Sequence, residues 1–256
     1  MLQAHSFLWN YLWVGPNLFL IGFGILLWKR GFQRVFPAFL AFAILSAAGE
    51  LAAFIADIIP SVSAVTYWRV FWAGLLVEGL LKFLVLGEIF ARVFAPYPSI
   101  GRLGKLLVSG FGALLVLLAA VIAGFARGDS VIRIISEAHL LEQTVFIIES
   151  GLIIFLFLFA AYFHLSWDRW SFGVLLGLGI SACEHLATWA IIANANPSER
   201  ARTLFALLNM ATYHACVFIW GYYLLVPGKV PAKPKVSLPE NNLAVWNREL
   251  ERLLQQ

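Results

Sequence analysis

Long apolar runs alternate with short polar segments along this chain, and the runs predict helices of membrane-spanning length. A helix needs about 20 mostly apolar residues to cross the hydrocarbon core of a bilayer. Seven runs reach that length: Phe7–Trp28, Phe36–Ile59, Trp68–Phe94, Leu106–Phe125, Ala138–Phe163, Trp170–Ala193 and Thr203–Val226. The pattern predicts an all-α, polytopic membrane protein whose residues 1–227 form a seven-transmembrane-helix bundle.

The basic residues outside these runs are divided unequally between the two sets of loops. One set, together with the tail, carries Lys29, Arg30, Arg34, Arg92, Arg102, Lys105, Arg169, Lys229, Lys233, Lys235, Arg248 and Arg252. The other set carries only Arg69, Arg127, Arg133, Arg200 and Arg202. Because cytoplasmic loops hold the excess of Lys and Arg, this division predicts that the N-terminus lies outside and the C-terminus lies in the cytoplasm.

The composition supports a membrane setting. Apolar residues make up 61% of the 256 residues and charged residues only 12%, and the mean hydropathy is +0.85. A water-soluble fold of this size could not cover so much apolar surface, so the lipid bilayer is the expected partner and the cell membrane the expected location. The net charge of +4 comes from basic loops that fit the topology, and no nucleic-acid surface is expected.

After the last run the chain changes character, and residues 228–256 are predicted to form a cytoplasmic segment. Its first part is rich in Pro and Lys, and proline cannot continue the preceding helix. Residues 240–256 then place Leu243, Trp246, Leu250, Leu253 and Leu254 at helical spacing. This predicts a short amphipathic helix that lies on the inner membrane surface, or that mediates contact with a cytoplasmic partner or self-association.

Ionisable side chains inside the runs are the strongest functional signal, because each costs about 2.5–3.5 kcal/mol on insertion scales. Six of the seven predicted spans carry a polar group between the midplane and the outer third. In the fourth, Ser109 is the one polar side chain, and the other residues are apolar or glycine. Lys82 follows Glu78 by four residues, so the two share a helix face and can form an ion pair. We expect an outward-facing polar pocket with these ligand-binding residues: Glu50, Glu78, Lys82, Glu149, Glu184, His185 and His214.

Several kinds of chemistry are compatible with this set. A metal ion, if one were bound, would use His185, His214 and Glu184, and the two histidines could also ligate a haem. No HExxH motif supports a metal site. Membrane carboxylates and histidines also serve proton-coupled carriers, and the same groups could simply hold helices together. No cofactor is expected, since the P-loop, GxGxxG and GxSxG motifs are missing from the sequence.

The predicted topology resembles that of rhodopsin-like receptors, bacterial seven-span sensor regions and the small sugar transporters with a three-plus-one-plus-three layout. The seventh span has no lysine for a retinal Schiff base, and the fifth and sixth have no proline, unlike the small sugar transporters. His214 stands alone, whereas seven-span zinc hydrolases carry HxxxH in their last span. We predict a small-ligand sensor or receptor-like protein. The alternatives are an intramembrane metal-dependent hydrolase and a proton-coupled small-solute transporter, and no catalytic residue can be assigned.

Overall fold

The structure is a computed structural model, which describes four continuous stretches of the chain: residues 6–95, 131–162, 167–195 and 198–226. It also describes residues 97, 100, 102, 104, 106, 108–114, 117, 121, 165, 245, 248, 251 and 252. Most of the predicted cytoplasmic segment 228–256 and half of the predicted fourth span, Leu106–Phe125, lie outside these residues.

The described part of the chain is helical and contains no strand. Its six long helices are α1 (Phe7–Lys29), α2 (Pro37–Ile58), α3 (Ala64–Val93), α4 (Val131–Tyr162), α5 (Arg169–Ala195) and α6 (Glu199–Leu225), with a 3₁₀ turn at Phe32–Arg34. All six contain a stretch long and apolar enough to cross a membrane. For the described residues, the prediction of an all-α chain with helices long and apolar enough to span a membrane is confirmed. Helices α4, α5 and α6 correspond to the fifth, sixth and seventh predicted spans.

Serine residues set the starts of three helices. The hydroxyl oxygens of Ser6, Ser63 and Ser198 accept hydrogen bonds from backbone N–H groups three residues further on, which satisfies donors that the first helical turn leaves free. Because Ser63 caps α3, that helix begins at Ala64, four residues before the predicted start at Trp68. Apolar content locates a span, whereas the caps decide where the helix begins.

The six helices form a closed ring in chain order. Each helix packs against the next, α6 packs back against α1, and α3 also touches α5 across the ring. Most neighbours run antiparallel, as short loops require. Helices α1 and α6 run in the same direction, since Tyr11 contacts His214 and Phe19 contacts Phe218.

Helices α3 and α4 are also parallel neighbours. Their contacts advance together along both helices: Trp68 with His139, Lys82 with Glu149, and Phe90 with Phe155. The end of α3 and the start of α4 therefore lie at opposite ends of the bundle. Between them, Gly104 lies against the Phe90 ring and Val108 against Gly87, so this segment runs antiparallel to α3, and residues 108–114 are helical.

Aromatic side chains fill the end of the bundle that carries Lys29, Arg34 and Arg92. This cluster, the aromatic plug, consists of almost fully buried Phe36, Phe39, Phe42, Phe90, Phe94 and Trp220. The Trp220 ring lies 5.6 Å from the Phe39 ring and 5.7 Å from the Phe42 ring, and its Nε1 donates a hydrogen bond to the Val174 carbonyl at 3.1 Å. The plug makes this half of the bundle interior apolar.

Candidate functional site

A buried lysine joins two helices at the middle of the bundle. Lys82 Nζ on α3 lies 3.0 Å from Glu78 Oε1 on the same helix and 3.5 Å from Glu149 Oε2 on α4. The ammonium group also lies 4.3 Å from the centre of the Phe146 ring, a favourable cation–π position. The predicted Glu78–Lys82 ion pair is present, and Glu149 shares the same lysine.

Glu149 is the most enclosed acidic group of this site. Its side chain has 0% of its surface exposed, against 6% for Lys82 and 22% for Glu78. Among the described residues, neither Glu149 carboxyl oxygen has a hydrogen-bond partner, and the close polar contact of this carboxyl group is with the Lys82 ammonium. A carboxyl group buried in this way depends strongly on its one cation.

A small cavity lies beside this lysine, between α2 and α3. It has a volume of about 10 Å³ and is lined by Ser46, Gly49, Glu50, Ala53, Phe71, Gly74 and Glu78. A space of this size holds about one water-sized species. The two helices are close to each other here: a Cβ atom added to Gly49 would be in van der Waals contact with the Cα of Gly74, at 3.8 Å. We call Glu50, Glu78, Lys82 and Glu149 the acidic cluster.

Helix α1 reaches the cavity through one indole group. Trp13 Nε1 donates a hydrogen bond to Glu50 Oε2 at 3.0 Å. Glu50 on α2 and Glu78 on α3 line the same cavity. The Glu50 carboxyl group therefore lies within electrostatic reach of the Glu78–Lys82 ion pair.

A second polar contact lies toward the outer end of α4 and α5, as the predicted orientation defines it. The Glu142 carboxylate contacts two histidines. Its Oε1 lies 2.8 Å from His185 Nε2, and its Oε2 lies 3.4 Å from His139 Nδ1. The Phe146 ring stacks on the His185 ring at 4.0 Å. The same ring lies 4.3 Å from Lys82 Nζ, so Phe146 links this contact to the acidic cluster. His185 is thus connected to the cluster through an aromatic ring.

Glu184 belongs to a different helix interface. It accepts a hydrogen bond from Thr188 Oγ1 at 2.9 Å and, with the Asn209 amide nitrogen turned toward it, a second hydrogen bond at 2.7 Å to Oε2. Asn209 lies on α6. Glu184 and His185 are sequence neighbours, yet Glu184 faces α6 and His185 faces α4.

His214 is apart from both groups. Its ring lies 4.7 Å from Phe218, 5.6 Å from Tyr11 and 5.7 Å from Phe19. Its Nδ1 is buried, and no described residue forms a hydrogen bond with it. The structure thus brings together four of the seven predicted ligand-binding residues, connects His185 to them through Phe146, and leaves Glu184 and His214 in separate contacts.

Three contributors were not singled out by the sequence. Ser46 lines the cavity, Trp13 donates a hydrogen bond to Glu50, and Glu142 contacts two histidines. Ser46 precedes Glu50 by four residues and His139 precedes Glu142 by three, spacings that put each pair on one helix face. The Trp13 contact had no such local signal.

The predicted metal ligands do not converge. Across the residues that the structure describes, no group of three or more His, Cys, Asp or Glu side chains is arranged to hold a metal ion. His185, His214 and Glu184 lie in three different sets of contacts.

The arrangement as a whole is an acidic, water-sized site that is closed on one side by the aromatic plug. Two carboxyl groups of the acidic cluster, Glu78 and Glu149, share the Lys82 ammonium group, and the third, Glu50, accepts a hydrogen bond from Trp13. No protein-family model matches this sequence, and no curated protein or solved structure matches it.

Proposed function

We propose that this chain is a multi-pass cell-membrane protein with seven crossings, its N-terminus outside and its C-terminus in the cytoplasm. The parallel pairs α1–α6 and α3–α4 support an odd number of crossings, because the chain between Val93 and Val131 has to return along the bundle. The unequal division of Lys and Arg supports the orientation. In this arrangement the aromatic plug lies toward the cytoplasm and the acidic cluster lies from the middle outward.

We further propose that the protein is a small-ligand sensor or receptor-like protein whose ligand enters the acidic cluster from outside. One observation carries this proposal: a water-sized cavity between Glu50 and Glu78 lies above an apolar plug that closes the other half. A site that is closed on one side suits the detection of a ligand better than the transport of a solute across the membrane. The excess of carboxyl groups over the Lys82 ammonium favours a cationic ligand, since buried charges require partners.

Ligand binding would reach several helices at once. Glu50 is held by Trp13 on α1, and Glu78 shares Lys82 with Glu149 on α4. A cation that draws Glu50 and Glu78 together would change both contacts and so shift α1 and α4 relative to α2 and α3. We propose that residues 240–256 pass this change to a cytoplasmic partner or to a second copy.

A proton-coupled carrier is the second candidate. The favouring observation is the series of ionisable groups from Glu78 through Lys82 to Glu149, since proton relays in membranes use such residues. Transport would require the aromatic plug to open. A metal-dependent hydrolase has no comparable support in the described part of the chain.

Thermal unfolding of the purified protein in detergent tests the binding site. The probes are chloride salts of monovalent cations, ammonium and small primary amines at matched ionic strength. We expect at least one probe to raise the unfolding midpoint of the wild type and to change Trp13-dependent fluorescence. Glu50→Gln should remove both responses, because it removes the charge that holds the ligand and weakens the acceptor of the Trp13 hydrogen bond.

Glu184→Gln is the matched control, since Glu184 lies at the α5–α6 interface, and it should keep both responses. A complete panel without any effect on the wild type would overturn the sensor proposal. Solute-driven proton movement into proteoliposomes, lost on Glu149→Gln, would favour the carrier instead.

A further inference from the structure

The cavity beside Glu50 has the features of a cation site. Ser46 lies one helical turn before Glu50 on α2, and both line the cavity together with Glu78 from α3. Ser46 is 5% exposed, and its hydroxyl oxygen has no hydrogen-bond partner among the residues that the structure describes. A hydroxyl group buried in this way normally finds a partner, so a ligand in the cavity would satisfy it. Two carboxyl groups and a hydroxyl group supply the hard oxygen ligands that small cations prefer.

The net negative charge of the site favours a cation, and the size of the cavity decides which one fits. Glu50, Glu78 and Glu149 carry three negative charges when ionised, and Lys82 balances one of them. Calcium takes six to eight oxygen ligands, and magnesium usually keeps several waters in an octahedral shell. A cavity of about 10 Å³ has no space for such a shell, and Lys82 holds Glu149 away from it. A monovalent ion stripped of most of its water fits both the volume and the ligand set.

We propose that this cavity binds one monovalent cation of sodium size through Glu50, Glu78 and the Ser46 hydroxyl group. The inference rests on the proposed function, because it names the ligand of the same outward-facing site. The Trp13 indole, which donates to Glu50 Oε2, holds that carboxyl group in place and leaves its other oxygen for the ion. The close approach of Gly49 and Gly74 brings the two acidic helices near enough to share one ion.

The test is a sodium titration of thermal unfolding, with detergent-purified full-length protein and choline chloride to keep ionic strength constant. Choline is too large for the cavity. We expect a saturable rise of the unfolding midpoint with sodium in the wild type. Ser46→Ala should raise the sodium concentration for half-maximal effect about tenfold, since a hydrogen-bond-type contact to a charged group contributes about that factor. Glu50→Gln should abolish the response, and Glu184→Gln should retain it.

Three results would overturn the sodium proposal. They are equal midpoints in sodium and choline, a sodium response that Ser46→Ala and Glu50→Gln leave unchanged, and a larger effect of millimolar calcium than of sodium. If sodium has no effect but another cation of the panel acts through Glu50, the sodium inference fails while the sensor proposal stands. If Glu78→Gln does not fold, the Ser46 and Glu50 variants still decide the outcome, because the ion pairs that Lys82 forms among the described residues are with Glu78 and Glu149.

Discussion

At the scale of single residues, the most demanding feature is a carboxyl group that relies on one lysine. Glu149 is fully buried, and its oxygens have no hydrogen-bond partner in the described part of the chain. Lys82 Nζ lies 3.5 Å from Glu149 and 3.0 Å from Glu78. Lys82 therefore pairs with two carboxyl groups, and the two differ in how strongly their burial depends on this lysine. Glu78 keeps some exposed surface, whereas Glu149 has none.

This dependence predicts an unequal result for two substitutions. Lys82→Met leaves two carboxyl groups without their cation, and it should lower the free energy of unfolding by about 3–5 kcal/mol, the cost typical of breaking a buried ion pair. Glu149→Gln should cost clearly less, because Lys82 keeps Glu78 as its partner. Denaturant unfolding of both variants in detergent measures the difference. A Glu149→Gln variant that is less stable than Lys82→Met would contradict this reading.

At the scale of helices, α5 and α6 depend on two glycines that leave room for aromatic rings. A Cβ atom on Gly177 would collide with the Trp220 indole, and one on Gly173 would collide with the Tyr223 side chain. The two glycines lie four residues apart and so share one face of α5. The same approach lets the Trp220 N–H reach the Val174 carbonyl, which anchors the aromatic plug to α5.

Gly177→Ala should therefore lower the free energy of unfolding by about 1–3 kcal/mol, the usual cost of overpacking. The matched control is Gly151→Ala on α4, where the added methyl group would meet no other described part of the bundle within 4 Å. That variant should keep the stability of the wild type, and alanine favours a helix over glycine. Equal stability of the two variants, measured by thermal unfolding, would show that the α5–α6 contact is looser than described.

The sequence predicts the position of each ionisable side chain along its helix, but it does not predict the direction of that side chain around the helix. Glu184 and His185 have nearly the same depth, yet successive residues of a helix point about 100° apart, so Glu184 meets Asn209 while His185 meets Glu142. His214 likewise lies at a similar depth and faces α1. The Glu78–Lys82 pair was predictable because both residues lie on one helix. Its sharing with Glu149 depends on which helices are neighbours, and the sequence does not contain that information locally.

At the scale of the whole molecule, aromatic side chains fill the interior of one end of the bundle, and the acidic cluster lies between the middle and the other end. The aromatic plug lies at the end with Lys29, Arg34 and Arg92. This polarity gives the proposed sensor its direction: a ligand enters at one face, and the opposite face carries the chain into residues 228–256. Everything proposed about ligand access depends on which end faces outward.

Labelling with a membrane-impermeant thiol reagent tests this claim most directly. Single cysteines replace Ser61 in the α2–α3 loop, Arg34 at the plug end, or Gln256 at the C-terminus, in a background with Cys183 and Cys216 replaced. We predict that Ser61→Cys is labelled on intact spheroplasts, whereas Arg34→Cys and Gln256→Cys are labelled only after permeabilisation. Labelling of Ser61→Cys and Gln256→Cys from the same side would contradict an odd number of crossings, and Arg34→Cys labelled on intact spheroplasts would place the acidic cluster toward the cytoplasm.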